Sequence, residues 1–446
     1  MMPASLVVWV LSALLLVGVL TQRWWEPRLA ERGIPVRRWP WRWWLVGYPA
    51  CALRIFSSWR RVALLNGLSV SVAPSQRVIG RDLVVQGQAL RPRPPRLSWP
   101  VPTATGLTLR VLLHPGQTPG PYFAAAHAME HAWHVHGVRV TSPRRGQVLI
   151  HVTALDPLTD NAPAVRPPAQ GLLKAHVGRT EDGEPWEIDL RRVPHWLITG
   201  ATQSGKSSLL AALVLDLAPQ PVALVGIDCK GGMELGLFGR RLSALAIDRA
   251  QAVSLLLGVV DEIHERMRVC REAGKRSVWE LPEEERPVPL VVLVDELAEL
   301  YLTDGSRQSK DEAEQCGTLL LRVAQIGAAL AVHLVVAGQR VGSDIGSRVT
   351  ALRAQLGGRV AHRSHDEASA EMTLGDINPD AVIAAQNITE DEQGVAVVAT
   401  GGRWVRARSR LVSLTEAADI ARTAPPADPF LTRSAAVTFK EGGIAA

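Results

Sequence analysis

The sequence predicts an α/β protein whose large domain holds a mostly parallel sheet, preceded by a small α+β domain and an N-terminal transmembrane helix. Three observations predict this fold. Apolar strands alternate with amphipathic helices from His176 to Val412, as in a sheet covered by helices on both faces. A strand, helix, strand, strand pattern occupies residues 107–153. The first 22 residues contain no charged side chain.

The composition is that of a chain that buries a core. Its 446 residues are 47% hydrophobic and 21% charged, which allows two or three folding units. The net charge of +6 is uneven, because residues 1–110 hold fifteen arginines against three acidic residues, a net of +12, and the remainder therefore carries −6. The basic excess is expected beside a membrane and is weak evidence for nucleic-acid binding. The four cysteines lie far apart, which argues against a zinc site or a disulfide framework.

An uncharged apolar segment, Ala4 to Leu20, reaches about 20 residues with its flanks, the length of a helix that spans a bilayer. A cleaved signal peptide is the alternative, but uncharged residues precede this run and bulky tryptophans follow it. The arginines that come next predict a single-pass anchor in the cell membrane with the body of the chain in the cytoplasm. These arginines are Arg23, Arg28, Arg32, Arg37, Arg38 and Arg42.

A second apolar piece, Trp43 to Leu53, has eleven uncharged residues between two arginines, which is too short to span. We expect it to lie in the membrane interface, and a second crossing stays open as the alternative. A Pro- and Arg-rich stretch, Arg91 to Pro102, predicts an extended linker. The predicted domains are a membrane anchor with a basic, Trp-rich segment (1–61), a linker (62–106), a small α+β domain (107–170), a large α/β domain (171–412) and a C-terminal tail (413–446).

The small domain is predicted from a strand at Leu107–Leu113, a helix at Phe123–His134 and two strands at Val138–Val140 and Val148–Val152. The helix contains an H-x-x-E-H sequence that starts at His127 and matches a zinc-peptidase pattern. That pattern also needs a downstream carboxylate ligand, and nothing that flanks the match marks one. An Ala-rich amphipathic helix with surface histidines explains the stretch better than a metal site.

A glycine-rich loop lies between the strand Trp196–Thr199 and the apolar helix Ser207–Leu217, and it fits G-x-x-x-x-G-K-[ST] at every defined position. Such a loop turns successive backbone N–H groups toward one point, where the helix dipole adds positive potential for phosphate. We expect Lys206 to reach the β- and γ-phosphates of ATP and Ser207 to ligate Mg²⁺. The predicted nucleotide-binding residues are Gly200, Ala201, Thr202, Gln203, Ser204, Gly205, Lys206, Ser207 and Ser208.

The apolar strand Leu290–Val294 supplies the second half of the predicted site, because it ends in Asp295 and Glu296. A carboxylate at such a strand end lies beside the same Mg²⁺, so Asp295 is a predicted metal ligand. Glu296 is then poised to orient or deprotonate the attacking water, which predicts a working ATP hydrolase. Gln339 follows the apolar strand Val332–Ala337 and is expected to sense the γ-phosphate, although a turn-stabilising glutamine explains its position nearly as well.

Together these segments resemble the FtsK/SpoIIIE family of DNA-pumping motors over roughly residues 176–412. The stretch Pro194–Gly200 is similar to that family's entry strand, and Leu293–Leu300 resembles its Asp-Glu-Leu-Ala box. Asp228-Cys229-Lys230 resembles its Asp-Pro-Lys segment, with cysteine in place of proline. The module at 107–153 is similar to the small domain of actinobacterial plasmid-transfer (Tra-type) members of the family.

The resemblance implies a RecA-like P-loop NTPase fold, ATP hydrolysis with Mg²⁺, and a homo-hexamer that holds double-stranded DNA in its pore. It also implies that an arginine of a neighbouring subunit completes each site, with Arg322, Arg340 and Arg359 as candidates. The implied function is ATP-dependent DNA translocation for conjugative transfer of a plasmid or integrative element, with other transfer proteins as partners. Only 34 residues follow Val412, too few for the family's winged-helix DNA reader, which puts directional sequence reading in doubt.

Other functions stay open. Type VII secretion motors, which export proteins, resemble the same ATPase; a septal motor for chromosome segregation and a membrane scaffold with a regulatory ATPase are further alternatives. The DNA surface is not apparent in the sequence, and a solvated strand edge explains the arginines that alternate from Arg406 at least as well as a pore. The basic residues considered for a pore are Arg359, Arg363, Arg403, Arg406, Arg408 and Arg410.

Overall fold

The computed structural model describes residues 43–72, 91–103, 105–156, 158, 171–342, 345–346, 348–364, 367–375, 377 and 379–428, together with residues 13, 16–18 and 21. The chain divides into two compact units between Pro157 and Leu158. The predicted membrane-spanning segment, Ala4 to Leu20, lies outside the described residues except for positions 13 and 16–18. Among the residues that are described, no helix combines the length and apolar character needed to cross a membrane.

A π-helical turn, Trp43–Gly47, leads into helix α1, Tyr48–Leu65, in the first unit. The buried side chains of α1 recur every three or four residues, so one face of the helix packs inward. These side chains are Cys51, Ile55, Trp59, Val62 and Ala63. The helix ends in a Schellman motif, in which Gly67 has φ +67° and the Leu68 N–H donates to the carbonyl of Ala63 at 2.8 Å.

The first unit contains a five-stranded antiparallel sheet and a separate two-stranded pair. The strands are β1 (Val70–Val72), β2 (Arg91–Arg93), β3 (Arg96–Leu97), β4 (Val101–Pro102), β5 (Gly106–Leu112), β6 (Gly137–Thr141) and β7 (Gln147–Thr153). The larger sheet has the order β3-β5-β7-β6, with β4 also paired to β5. Between β5 and β6 lie the helices α2 (Gly120–Ala124) and α3 (Ala126–Trp133). The strand, helix, strand, strand order predicted for 107–153 is confirmed.

The core of this unit joins α1 to β5, β7 and the two short helices. Alternate residues of β7 are buried, and the Trp59 indole N–H donates to the carbonyl of Pro95 at 2.8 Å. The stretch predicted as a linker, 62–106, therefore contains the end of α1 and strands β1 to β4, and the small domain extends well before residue 107. Pro92 and Pro102 are compatible with these strands, because β2 and β4 are short and each pairs on one side only, where proline is tolerated.

The H-x-x-E-H sequence lies on α3, where its acid ties the helix to the sheet. Glu130 Oε2 is 2.9 Å from His127 Nδ1, and Glu130 Oε1 accepts the N–H of Val138 on β6 at 3.0 Å. Over the described parts of the chain, no three His, Cys, Asp or Glu side chains are arranged to hold a metal ion.

The second unit is built on a ten-stranded mixed sheet. Its strands are β8 (Lys174–Thr180), β9 (Pro185–Asp189), β10 (His195–Thr199), β11 (Ala223–Ile227), β12 (Ala244–Ala246), β13 (Leu290–Val294), β14 (Val332–Gly338), β15 (Gly358–His362), β16 (Val395–Thr400) and β17 (Arg403–Ser409). The order is β12-β11-β13-β14-β10-β15-β16-β17-β8-β9. The first six strands of this order are parallel, as predicted, and the other four extend the sheet by antiparallel pairing.

Helices cover both faces of this sheet. They are α4 (Lys206–Leu217), α5 (Arg249–Glu272), α6 (Arg307–Ile326), α7 (Val349–Gln355), α8 (Glu367–Leu374), α9 (Pro379–Gln386) and α10 (Leu414–Thr423). One core cluster holds α4 with half of the strand side chains, and a second holds α5 and α6 with the other half. Every residue of β10, β11, β13 and β14 is buried, as expected for parallel strands between two helical layers.

Arg266 fixes the amino-terminal ends of two central strands. It is fully buried on α5, and its Nε donates to Glu262 Oε1 at 2.6 Å. Its two Nη atoms donate to the carbonyls of Leu330 and Val288, at 2.9 and 2.8 Å, just before β14 and β13. Because the other ends of these strands carry the candidate catalytic residues, this guanidinium positions the sheet beneath the site.

Two histidines are buried at the amino-terminal ends of β10 and β14. His195 Nδ1 accepts the N–H of Leu334 at 3.1 Å. Burial lowers the pKa of His195 to about 4 and the pKa of His333 to about 3. Both imidazoles are therefore neutral at pH 7.

The stretch predicted as a tail begins with a helix that packs on the large domain. A capping box between Ser413 and Glu416 starts α10, as both reciprocal bonds are present. Ala417 of α10 is buried in the same core cluster as α4. Ser243 Oγ also donates to the carbonyl of Ala427 at 2.5 Å, so residues up to 428 belong to the folded unit.

Candidate nucleotide and catalytic site

The phosphate-binding loop lies between β10 and α4, as predicted. Gly205 has φ +116°, and a Cβ there would lie 2.6 Å from the Cα of Gly394. A Cβ at Gly200 would lie 2.6 Å from the Cβ of His362. Both glycines of the motif are therefore required by the close approach of the loop to the end of β15 and to the segment before β16.

Backbone hydrogen bonds hold the loop against the neighbouring strands. The N–H of Ala201 donates to the carbonyl of Arg363 at 2.8 Å, and the N–H of Gly394 donates to the carbonyl of Ser204 at 2.9 Å. The Lys206 ammonium donates to the carbonyls of Gly200 and Ala201, at 2.6 and 3.2 Å. The conformation of the loop is thus stabilised by its own lysine and by the segments next to β15 and β16, which lie far away in sequence.

The other loop residues divide by exposure. Ser204 is buried, and its hydroxyl has no hydrogen-bond partner among the described residues. Thr202 and Gln203 are exposed. Ser207 and Ser208 are half-buried in the first turn of α4. An anion at this helix start would meet free amide N–H groups, the Lys206 ammonium and the serine hydroxyls.

Asp295 and Glu296 follow β13 directly and are 6% and 7% exposed. The N–H of Asp295 donates to the carbonyl of Ile227 on β11 at 3.0 Å. Glu296 Oε1 accepts the N–H of Gln339 at 3.0 Å. Gln339 follows β14, which lies between β13 and β10, so the acids, the glutamine and the phosphate loop share one edge of the parallel sheet.

The structure adds Lys230 to the site. Its Nζ is 3.5 Å from Glu296 Oε2 and 3.9 Å from Asp295 Oδ2. Asp228, at the end of β11, is fully buried and accepts the N–H groups of Glu234 and Leu235 at 2.9 and 3.0 Å, which holds the turn that carries Lys230. The sequence identified this segment only by family resemblance; its position after a parallel strand next to β13 was the physical signal that it belongs to the site.

Electrostatics at this edge favour a bound cation. Burial, followed by the neighbouring Asp228 carboxylate, raises the pKa of Asp295 to about 6. Burial lowers the pKa of Lys206, while the Glu296 carboxylate acts in the opposite direction. The carboxylates of Asp228 and Asp295 therefore lie close together in a buried site, where a bound divalent ion would offset their repulsion. The oxygens of Asp295 and Ser207 are of the type that Mg²⁺ prefers, so these residues fit the predicted metal.

The three candidate arginines differ in exposure. Arg322, on α6, and Arg340, next to Gln339, are exposed. Arg359 is 5% exposed on β15, and its Nη2 donates to the carbonyl of Arg353. A residue that must reach into a neighbouring subunit has to be accessible, so burial argues against Arg359 and leaves the two exposed candidates.

The basic residues considered for a DNA pore are mostly engaged within the chain. Arg363 lies 3.1 Å from Glu390, and Arg406 lies 2.7 Å from Glu392. Arg408 donates to the carbonyl of Leu158, and Arg410 donates to Glu416. Only Arg403 of the β17 arginines is exposed to solvent. Arg406, Arg408 and Arg410 thus contribute to pairing within the unit rather than to an open basic surface.

Comparison with known proteins finds a family match for each of the two units. Residues 162–343 match the FtsK/SpoIIIE family, and residues 35–154 match the actinomycete conjugal transfer protein N-terminal domain. The chain is 40% identical over 377 residues to transfer protein TraSA of Streptomyces ambofaciens, covering 81% of this chain and 89% of that protein. It is 45% identical to a sporulation regulatory protein of Streptomyces azureus over 56% of this chain and 80% of that protein.

More distant similarities have narrower coverage. The DNA translocase FtsK of Campylobacter jejuni is 32% identical over 46% of this chain, which spans 22% of that translocase. Among solved structures, the conjugation coupling protein TcpA of pCW3, in its monomer form with ATPγS, superposes with a TM-score of 0.55. That similarity covers 74% of this chain and 93% of the solved chain at 20% identity, and it shows a shared fold.

Proposed function

The chain belongs to the FtsK/SpoIIIE family of ATPases, and we propose that it hydrolyses ATP to move double-stranded DNA in the conjugative transfer of a plasmid or integrative element. The observation that carries hydrolysis is the pairing of the phosphate loop with two buried acids at one edge of a parallel sheet. The 40% identity to a Streptomyces transfer protein over most of both chains supports the choice of transfer.

Each residue of the site has a defined task in this proposal. The loop N–H groups and Lys206 bind the phosphates, and Ser207 with Asp295 would hold Mg²⁺, which neutralises phosphate charge when bound. Glu296 orients the attacking water or takes its proton. Gln339, whose backbone N–H donates to Glu296, would sense the γ-phosphate through its side-chain amide.

Assembly and location follow from the same proposal. A homo-hexamer would place duplex DNA in its pore, and Arg340 or Arg322 would reach the nucleotide of the adjacent subunit. An N-terminal anchor in the cell membrane would hold the ATPase unit on the cytoplasmic side, where other transfer proteins have access to it.

The direct test is ATP hydrolysis by the full chain in detergent, measured without nucleic acid, with single-stranded DNA, with duplex DNA and with unfolded peptides, using Lys206→Ala as the inactive reference. Strong stimulation by duplex DNA that is absent from the reference would support the proposal. Hydrolysis that responds to peptide and not to duplex would contradict it and favour protein export. Any shortened version should keep residues from Trp43 on, because α1 belongs to the core of the small domain.

A further inference from the structure

Helix α1 carries apolar side chains that are exposed among the described residues of the small domain. Cys51, Ile55 and Trp59 pack inward, whereas Leu53 is 72% exposed and Phe56 is 40% exposed. The exposed side chains recur at helical spacing, so they form a stripe opposite the buried one. Large apolar side chains gathered on one side of a folded domain indicate a contact surface.

Side-chain contacts make this face continuous with residues outside the helix. The ring of Trp44 lies 6.4 Å from the ring of Tyr48, whose hydroxyl donates to the carbonyl of Pro100 at 2.9 Å. The adjacent Trp99 is 81% exposed, and its ring lies 6.0 Å from that of Phe56. We call this surface the aromatic face, defined by the exposed side chains of Trp44, Leu53, Phe56 and Trp99. Tyr48, which contacts Trp44, is half-buried and packs against the core, so it supports this face from below.

The charge around the aromatic face has one sign. No Asp or Glu occurs between Glu31 and Asp82, and the arginines of that stretch include Arg60, which is exposed one helical turn after Phe56. Tryptophan and tyrosine rings beside arginines, without acids, are typical of surfaces that lie at the headgroup level of a bilayer. A protein partner of matching apolar shape would not require the absence of acids over fifty residues.

The position of the face in the chain points to the same occupant. It follows the uncharged apolar segment of residues 1–22 and the arginines of residues 23–42, which sequence patterning predicts to lie in and beside a membrane. Helix α1 itself contains Arg54, Arg60 and Arg61 and commits one face to the domain core, so it is suited to lie on a bilayer rather than to cross one.

We propose that the aromatic face docks the small domain on an anionic lipid surface, with Trp44, Phe56 and Trp99 in the headgroup layer and Arg60 against lipid phosphates. The proposal rests on the proposed membrane location and adds to it a fixed orientation of the small domain. It is independent of what the ATPase unit moves.

The test uses the full chain in vesicles of phosphatidylglycerol and phosphatidylcholine, with an environment-sensitive fluorophore on Ser57→Cys, which lies on the exposed side of α1. A matched label on Arg145→Cys reports from the exposed β6–β7 turn of the same unit. Three of the four natural cysteines are buried, and the signal of the labelled natural chain is subtracted. We expect a lipid-soluble nitroxide to quench the label at position 57 and not the label at 145.

Variants then locate the effect. Phe56→Ser combined with Trp99→Ser should abolish the quenching at position 57, and Arg60→Gln should reduce it in phosphatidylglycerol vesicles. Phe123→Ser, which changes another exposed phenylalanine of the unit, should leave it intact. Equal quenching at 57 and 145, or shielding of position 57 from both water and lipid by another copy of the chain, would overturn the proposal. DNA-stimulated hydrolysis in the same vesicles reports separately on the proposed function.

Discussion

Replacing Glu296 by glutamine should stop hydrolysis while leaving the fold and nucleotide binding in place. The substitution keeps the size of the side chain, and the amide oxygen can still accept the N–H of Gln339, which the carboxylate accepts at 3.0 Å. What is lost is the negative charge next to Lys230, 3.5 Å away, and the capacity to take a proton.

The contacts at Glu296 set the size of each effect. The Lys230 side chain is 40% exposed, so its ion pair is screened and contributes on the order of 0.2–1 kcal/mol to stability. A general base contributes about 10²- to 10⁴-fold to turnover. We therefore expect Glu296→Gln to lower turnover by that factor, to change the melting temperature little, and to bind ATP as tightly as the natural chain or more tightly, because a negative charge near the triphosphate has been removed.

Three measurements on one preparation decide this prediction: turnover at saturating ATP with duplex DNA, affinity for a fluorescent ATP analogue, and the melting temperature. Glu299→Gln is the matched control, since that half-buried glutamate lies in the next turn and should keep full turnover. If Glu296→Gln retained more than about a tenth of the natural turnover, Glu296 would not be the group that activates water.

The remaining predictions concern the sheet and the assembly. Burial lowers the pKa of His333 to about 3, so its imidazole stays neutral in the folded chain, whereas in the unfolded chain it takes up a proton below about pH 6.5. The free energy of unfolding should therefore fall by about 1.4 kcal/mol per pH unit as the pH drops from 6.5 toward 3. His333→Leu removes this group, so its melting temperature should decline less steeply with falling pH. Arg266→Met should lower the free energy of unfolding by about 3–5 kcal/mol in urea titrations, a prediction that a loss below about 1 kcal/mol would contradict. If Arg340 or Arg322 acts across a subunit boundary, the alanine variant of that residue and Lys206→Ala should each be inactive alone and regain hydrolysis when mixed; mixtures that stay inactive for both arginines would exclude this role.

The parts of the site that sequence patterns predicted are those encoded locally. A strand, a glycine loop and a helix are contiguous in the chain, so the phosphate loop and the bounds of β10 and α4 could be predicted closely. The two acids after β13 could be predicted as well, because they directly follow a fully apolar strand of the same domain. What the pattern could not supply is the reason for the glycines, which lies in His362 and Gly394, well over a hundred residues away.

Non-local pairing explains what the patterns missed. The four antiparallel strands that extend the sheet come from both ends of the large unit, since β8 and β9 precede β10 in sequence but lie beyond β17 in space. Likewise, α1 has a spacing that fits an interfacial helix and a domain helix equally well. Only the burial of Ile55 and Trp59 in one core cluster with residues of β5 and β7 shows that one face of the helix belongs to the core. The side chains on its other side stay exposed.

The arginines illustrate the same limit for charge. The spacing of Arg406, Arg408 and Arg410 predicts one side of a strand, and the structure places the first two in β17 and Arg410 directly after its last residue, Ser409. Spacing alone does not reveal the partner of a side chain. Each of the three donates to an acid or a carbonyl of its own unit. Carboxylate and phosphate pairs with arginine are of similar strength, so exchanging an internal partner for a DNA phosphate would release little free energy. If the chain moves DNA as proposed, it must hold and release phosphates at every step, which needs cations whose partner in the absence of DNA is water. Arg403 is exposed and meets that condition, whereas Arg406 and Arg408 are paired within the unit.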